Sequence, residues 1–250
     1  MKHALLPLLL ALLLASVPVL AECPVRQAEP LTGMFVFPEN STEDDALYLY
    51  RYCYPQFTGD EEIALHLNTT YTYMAEDALG FEVPMLASEM QPGDPQKVVE
   101  IRYEITSQSD DYLSVLITKE VTTGSDLTLV VSGHVFALTG SGAGKITNLP
   151  VFLGILSPDE TNEWLMNRQT NKVDKLVREL VWNRLTSGDF PEIYDDLTYE
   201  EFEAGFYPEE DYYIGDQGEP CFYFQAGTVA PEELGPVIVP LSMDILMDEL

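Results

Sequence analysis

Three kinds of side chain could give this chain a catalytic or metal-binding centre: its histidines, one glycine-rich loop carrying a lysine, and its many carboxylates. Beyond His3 the histidines are His66 and His134, with no His-x-x-x-His pair to hold a zinc ion from one helix face. His134 stands within an apolar alternation and His66 beside an apolar stripe, so both read as packed or surface residues. Gly140-Ser141-Gly142-Ala143-Gly144-Lys145 has the flavour of a phosphate loop. The loop chemistry needs glycine where Thr139 stands and a hydroxyl residue where Ile146 follows the lysine, so a flexible turn is the better account. No Gly-x-Ser-x-Gly and no Ser-x-x-Lys occurs, which removes the common serine hydrolases. Among the carboxylates, Asp110-Asp111, Asp195-Asp196 and Glu209-Glu210-Asp211 could gather calcium, but none follows the Asp-x-Asp-x-Asp-Gly loop. A glycosidase needs two carboxylates, and with 42 Asp and Glu in the chain a suitable pair carries little information. The expectation is a protein without catalytic motif, metal or cofactor.

Charge says more about partners than about chemistry. The 250 residues carry 12 Lys and Arg against 42 Asp and Glu, and after Arg184 the remaining 66 residues hold 17 acids and no Lys, Arg or His. Such a field repels nucleic acid and anionic polymers and attracts cations or basic proteins. Two readings stay open: a solvated acidic surface that aids solubility, and one that steers a basic partner.

The first residues set the compartment. Lys2 and His3 precede an apolar run over residues 4–20 broken by Pro7 and Pro18, with Val19 and Ala21 as the small residues before a cleavage point. That is the pattern of a signal peptide over residues 1–21, too short for a membrane span, and no second apolar run of spanning length follows. Cys23 opens a lipoprotein alternative, although Glu22 stands where a small residue is needed. The mature chain is therefore expected to be secreted or periplasmic. In that setting Cys53 and Cys221, both within expected strands, could pair as a disulfide, with buried free thiols as the alternative.

The elements that would position these groups are mostly strands. Tyrosines 48, 50, 52 and 54 alternate with Leu47, Leu49, Arg51 and Cys53. Ile63, Leu67, Tyr71, Met74 and Ala78 then recur at helical spacing. Val99, Ile101, Tyr103 and Ile105 form a half-buried strand, residues 106–111 a polar loop, and Leu113, Val115 and Ile117 a further strand. Residues 127–138 add another, with a bulge expected at Gly133. Ser157-Pro158-Asp159-Glu160 reads as a capping box opening a helix to about residue 185, with Leu165, Val173, Leu176, Val177, Leu180 and Val181 inward. That helix carries Arg168, Lys172, Lys175, Arg178 and Arg184, a cationic face suited to the acidic C-terminal segment. Thr198 and Glu201 mark a shorter helix. The class is α+β, a mostly antiparallel sheet with two main helices packed on it.

The last strands carry a recognisable order. Tyr212-Tyr213-Ile214, the turn Gly215-Asp216-Gln217-Gly218 and Cys221-Phe222-Tyr223-Phe224 read as a hairpin, followed by Ala230-Pro231, Gly235 and Val237-Ile238-Val239-Pro240. This order resembles the extracellular domain of RsiV-type, lysozyme-binding anti-sigma factors, a domain that also accompanies peptidoglycan deacetylases. Tyr54-Pro55-Gln56-Phe57, Gly59 and Leu67-Asn68 resemble the small companion domain that precedes it. The resemblance implies a companion subdomain over residues 22–95 and an RsiV-like domain over 96–250, leaving residues 22–45 unexplained. It departs from the pattern at Thr122-Thr123-Gly124-Ser125-Asp126, where the family has a Thr-Gly-Gly-Ala-His sequence, so no role of that histidine carries over. Glu232-Glu233 replace a second aromatic residue after Ala-Pro. The resemblance implies a non-enzymatic recognition module of the cell envelope, binding a basic protein such as lysozyme or an envelope glycan such as peptidoglycan. The alternative is an accessory domain, or a carboxylate-dependent enzyme, acting on peptidoglycan. Loops presenting side chains on a sheet scaffold are the natural contact regions: Thr123, Gly124, Ser125 and Asp126 on one, Thr228, Pro231, Glu232 and Glu233 on the other.

Overall fold

The computed structural model describes residues 23–190 and 192–250, so the export segment expected over residues 1–21 lies outside the described residues. Alternating apolar residues build a five-stranded sheet from β2 (Leu31–Phe37), β3 (Tyr48–Tyr54), β5 (Lys97–Gln108), β6 (Tyr112–Thr123) and β7 (Asp126–Ala137), in the order β2-β3-β5-β6-β7. Every neighbouring pair is antiparallel except β3 and β5. A parallel pair needs a crossover. Here it runs through β4 (Phe57–Gly59), α1 (Glu61–Asp77), a π turn (Ala78–Glu82) and α2 (Val83–Glu89), while β1 (Val25–Gln27) pairs with β4. The boundary expected near residue 95 thus falls between two strands that share one sheet.

The Asp60 carboxylate starts α1 by accepting from the backbone N–H of Glu62 and Ile63. The helix buries Ile63, Leu67, Tyr71 and Ala75 against the tyrosine face of the sheet, and the Tyr54 and Tyr71 rings stack 5.9 Å apart. Residues 22–45, unassigned from sequence, supply β1 and the edge strand β2. Its Gly33 lies opposite Tyr52, whose hydroxyl would sit 2.2 Å from any Cβ there, so the glycine makes room for the ring.

The second half of the chain adds α3 (Leu149–Phe152), α4 (Glu163–Leu185), α5 (Tyr199–Ala204), β8 (Tyr212–Ile214), β9 (Pro220–Phe224), β10 (Val237–Pro240) and α6 (Met243–Glu249). The last three strands form an antiparallel sheet, β10-β9-β8. The expected hairpin is there, with Gly218 at φ 81° in its turn, and β10 is an edge strand as its prolines require. One face of this sheet, Phe222, Phe224 and Val239, packs with Val173, Val177 and Val181 of α4. The other lies on the five-stranded sheet, where the Ser114 hydroxyl accepts from Ile214 N at 2.9 Å. The layers therefore run α1, large sheet, small sheet, α4.

Several expectations need correction. The long helix begins at Glu163, because the Ser157 hydroxyl accepts from Asp159 N and closes a local turn. Glu160 reaches forward to Asn162 N, and Asn162 caps the helix by accepting from Leu165 N. Along α4, Leu165, Leu176 and Leu180 are only half-buried, while Asp174 joins the buried stripe. The strand β5 continues through Gln108, with its irregularity between Ile105 and Ser107, where the sequence pattern predicts a loop. Gly133 is no bulge: it pairs in register with Leu116, and a Cβ there would lie 2.0 Å from the Tyr212 carbonyl oxygen. Its glycine identity serves the close approach of the two sheets.

Candidate functional site

The strand β7 is an edge of the large sheet, and an open edge must be covered or blunted. The C-terminal segment does this with side chains. Gln225 grips Val131 at both ends, its Oε1 accepting from Val131 N at 3.0 Å and its Nε2 donating to Val131 O at 2.7 Å. The Tyr223 hydroxyl accepts from Gly133 N at 3.1 Å, and the Glu232 carboxylate accepts from the Thr128 hydroxyl at 3.1 Å. Thr147 N donates to Val135 O further along.

Between these grips opens a cavity of about 570 Å³. Ser132 and Gly133 of β7, Thr147 and Asn148, and the acids Glu209, Glu210 and Asp211 line it. No Lys or Arg lines it. The Asp211 carboxylate accepts from Tyr207 N at 2.8 Å and turns the segment towards β8; burial raises its pKa.

Behind the acidic wall, Glu209 meets Asp174 and Arg178 of α4. Asp174 is only 7 % exposed, and burial, followed by the Glu209 charge, pushes its carboxyl up to about 7, with Arg178 acting in the other direction. Asp174 Oδ1, Glu209 Oε2 and Arg178 Nε are all buried and make no hydrogen bond to another group. The two carboxyls face each other, and that contact is a hydrogen bond only when one of them carries a proton. Arg178 spends its Nη2 on the Phe206 carbonyl at 3.1 Å. A glycosidase needs its carboxyls about 5 Å or more apart around a sugar carbon. Carboxyls in direct contact share a proton instead.

The cations of the chain are largely committed. Arg51 pairs with Glu43 and Glu100, Arg102 with Glu100, Lys119 with Glu82 and Arg184 with Asp189. Lys172 donates to the Leu250 carbonyl. The cationic face of α4 is thus partly used on the C-terminal segment, and among the described residues Asp126, Glu210, Asp211, Glu232 and Glu233 form no salt bridge.

The structure places the expected contact residues unevenly. Thr123 and Asp126 are cross-strand partners closing the β6–β7 turn over Gly124, at φ 62°, and Ser125. Pro231, Glu232 and Glu233 open a short 3₁₀ turn, and the Glu232–Thr128 bond draws that turn to the same end of β7. Thr228 is not part of this group; its methyl packs towards Gly205 at the end of α5. The Cys53–Cys221 bridge is not formed. Cys53 sits on the large sheet beside Arg51 and Cys221 on the small one beside Tyr213; both are free thiols. Burial raises the Cys221 thiol to about 11, which keeps it protonated and unreactive. The Cys23 sulfur accepts from the Gln108 amide at 2.8 Å. The glycine loop ends in Gly144, at φ 80°, packed against His66, and its backbone is tied to Ala137. His134 is buried, its ring nitrogens 3.3 Å from the Tyr71 and Ser132 hydroxyls, and desolvation lowers its pKa to about 4.

Sequence reasoning missed Asp174 and Gln225, placed Arg178 only on a cationic helix face and gave Tyr223 no role beyond its strand. The first left a signal: an acid four residues before Arg178, inside the stripe Val173, Val177, Val181. Gln225 left none, since any polar residue can follow a strand. Among the described residues no three His, Cys, Asp or Glu side chains converge as a metal site, and no helix is long and apolar enough to cross a membrane.

No family profile and no curated protein matches the sequence. Among solved structures that share the fold are two crystal structures. One is a member of the DUF3298 family from Bacteroides fragilis NCTC 9343, with TM-score 0.55, 11 % identity, and 89 % of this chain and 91 % of that one covered. The other is a DUF3298 family protein from Pseudomonas aeruginosa PAO1, with TM-score 0.52, 11 % identity, and 91 % and 94 % covered. The likeness spans nearly the whole length and is one of fold.

Proposed function

We propose that this chain is an exported, non-enzymatic recognition module of a bacterial cell envelope, docking a basic protein on the acidic face along β7. The carrying observation is the cavity wall Glu209-Glu210-Asp211, which no Lys or Arg lines, in a segment without a cation after Arg184. Around it Asp126, Glu232 and Glu233 continue the acidic strip, and Leu127, Val130 and Leu234 stand 53 %, 39 % and 56 % exposed among them. Apolar side chains inside a charged rim are the anatomy of a docking surface, the rim steering approach and the apolar centre holding contact. The lysozyme class of partner is favoured by the resemblance of the last strands to the lysozyme-binding domain, and by its basic character. A polyanionic wall polymer would meet like charge. Retention of hen lysozyme on the immobilised protein at low salt, lost at high salt, is the expected result. Retention unchanged at high salt, or none at either, would contradict the reading. Release of sugar from purified peptidoglycan would point to the enzyme instead.

A further inference from the structure

A second cavity, of about 280 Å³, lies on the α1 side of the large sheet beside the π turn, and it meets the docking surface described above at Val130. Its buried lining is apolar and aromatic, with Tyr50, Tyr54 and Ile117, while the exposed Val130 lines it towards solvent. Its rim is charged. Asp77 and Glu82 stand on one side and Lys119 on the other.

The π turn creates this rim. Asp77 and Glu82 are five residues apart, which on a regular α-helix would place them about 140° apart. Across the turn the repeat lengthens to five residues, Val83 N donating to Ala78 O, and both carboxylates come to the cavity. Insertions of this kind are frequent at functional sites. Lys119 pairs with Glu82, and Asp77 has no ion-pair partner among the described residues. One negative charge is therefore left over above a pocket of aliphatic groups and tyrosine rings. That combination suits a single cation on a methylene stem: the stem lies on Ile117, the cation meets Asp77, and the tyrosine rings favour positive charge.

We propose that this cavity is the socket for the end of one lysine or arginine side chain of the basic partner. The inference rests on the docking reading for its occupant, and Val130 joins the two, lining the cavity while belonging to the exposed strip on β7. The shared chemistry is a straight-chain monocation; ammonium and guanidinium are separated by experiment.

The test is titration of n-pentylammonium, n-butylguanidinium and, as the uncharged control, n-pentanol, followed by NMR shifts of the Val130 and Ile117 methyls, with those of Ile117 alone read in the position-130 variant. Variants Asp77→Asn and Val130→Trp alter exposed positions and should fold normally. The expected result is that one or both cations bind at least about fivefold tighter than pentanol, that Asp77→Asn removes this preference, and that Val130→Trp abolishes binding. Equal binding of pentanol, or cation binding unchanged by Val130→Trp, would overturn the proposal. Lysozyme separates it from the docking reading. If lysozyme binds wild type and Asp77→Asn equally, the socket fails and the acidic face, which does not include Asp77, stands. If lysozyme binds neither while the cations bind selectively, the docking reading fails, and the socket loses its protein occupant with it.

Discussion

Replacing Asp174 by asparagine should tilt the pH dependence of stability in a calculable way. Burial on the inner face of α4, followed by the Glu209 carboxylate, raises Asp174 from the ordinary 3.8 to about 7, so the folded protein holds a proton that the unfolded chain gives up. Its contribution is complete below about pH 4 and is lost as pH rises to 7. Three units at about 1.4 kcal/mol each make about 4 kcal/mol across that window, more than half of it between pH 5 and pH 8. His134 works in the opposite sense. Its pKa is lowered to about 4, so its contribution is present above pH 6.5 and is lost as pH falls towards 4, amounting to about 3 kcal/mol. The two slopes oppose each other in the wild type. The substituted amide cannot ionise, and it can donate to Glu209 in place of the shared proton. Urea denaturation at pH 5 and pH 8 measures the difference. Relative to wild type, Asp174→Asn should gain about 2–3 kcal/mol between the two pH values. An effect equal at both pH values would refute the shared proton.

Three further substitutions probe the scaffold. Gly133→Ala puts a methyl 2.0 Å from the Tyr212 carbonyl and should cost about 2–3 kcal/mol in thermal or chemical unfolding by prising the sheets apart, whereas a bulge-forming glycine would tolerate alanine better. Gln225→Glu removes the donor to the Val131 carbonyl and should cost about 1–3 kcal/mol, with faster amide exchange at Val131 as the local signature. Phe206→Ala empties a fully buried site 4.8 Å from the Phe224 ring, and a loss of about 3–5 kcal/mol in denaturant unfolding is expected.

Much of the architecture is legible in the sequence because periodicity reports burial. The tyrosine alternation in β3, the stripe Ile63-Leu67-Tyr71 and the C-terminal hairpin each follow from one buried face. What the sequence hides is what depends on distant partners. Ser157 has the composition of a capping box, yet its hydroxyl closes a turn and Asn162 caps the helix. Gly133 has the look of a bulge because close approach and bulging both need glycine, and only the position of Tyr212 separates them. Cys53 and Cys221 share the expectation of strand and export that favours a bridge, but they sit on different sheets. At the site itself the acids of residues 209–211 and 232–233 are visible as charge, while the way Gln225 and Glu232 gather them along β7 is not. The chain also places an acid, Asp174, inside an apolar stripe, where local pattern and local residue disagree; such conflicts are where functional or strained groups are found.

The central claim is that the acidic strip along β7 is a docking face for a basic protein. It is tested most directly by titrating hen lysozyme into wild type and into the triple variant Asp126→Asn, Glu210→Gln, Glu232→Gln, which changes only exposed carboxylates. The account predicts salt-sensitive binding by the wild type, weakened about 10- to 100-fold in the triple variant with folding unchanged. Equal affinity for the two proteins, or loss of binding only when acids far from β7 are neutralised, would contradict it.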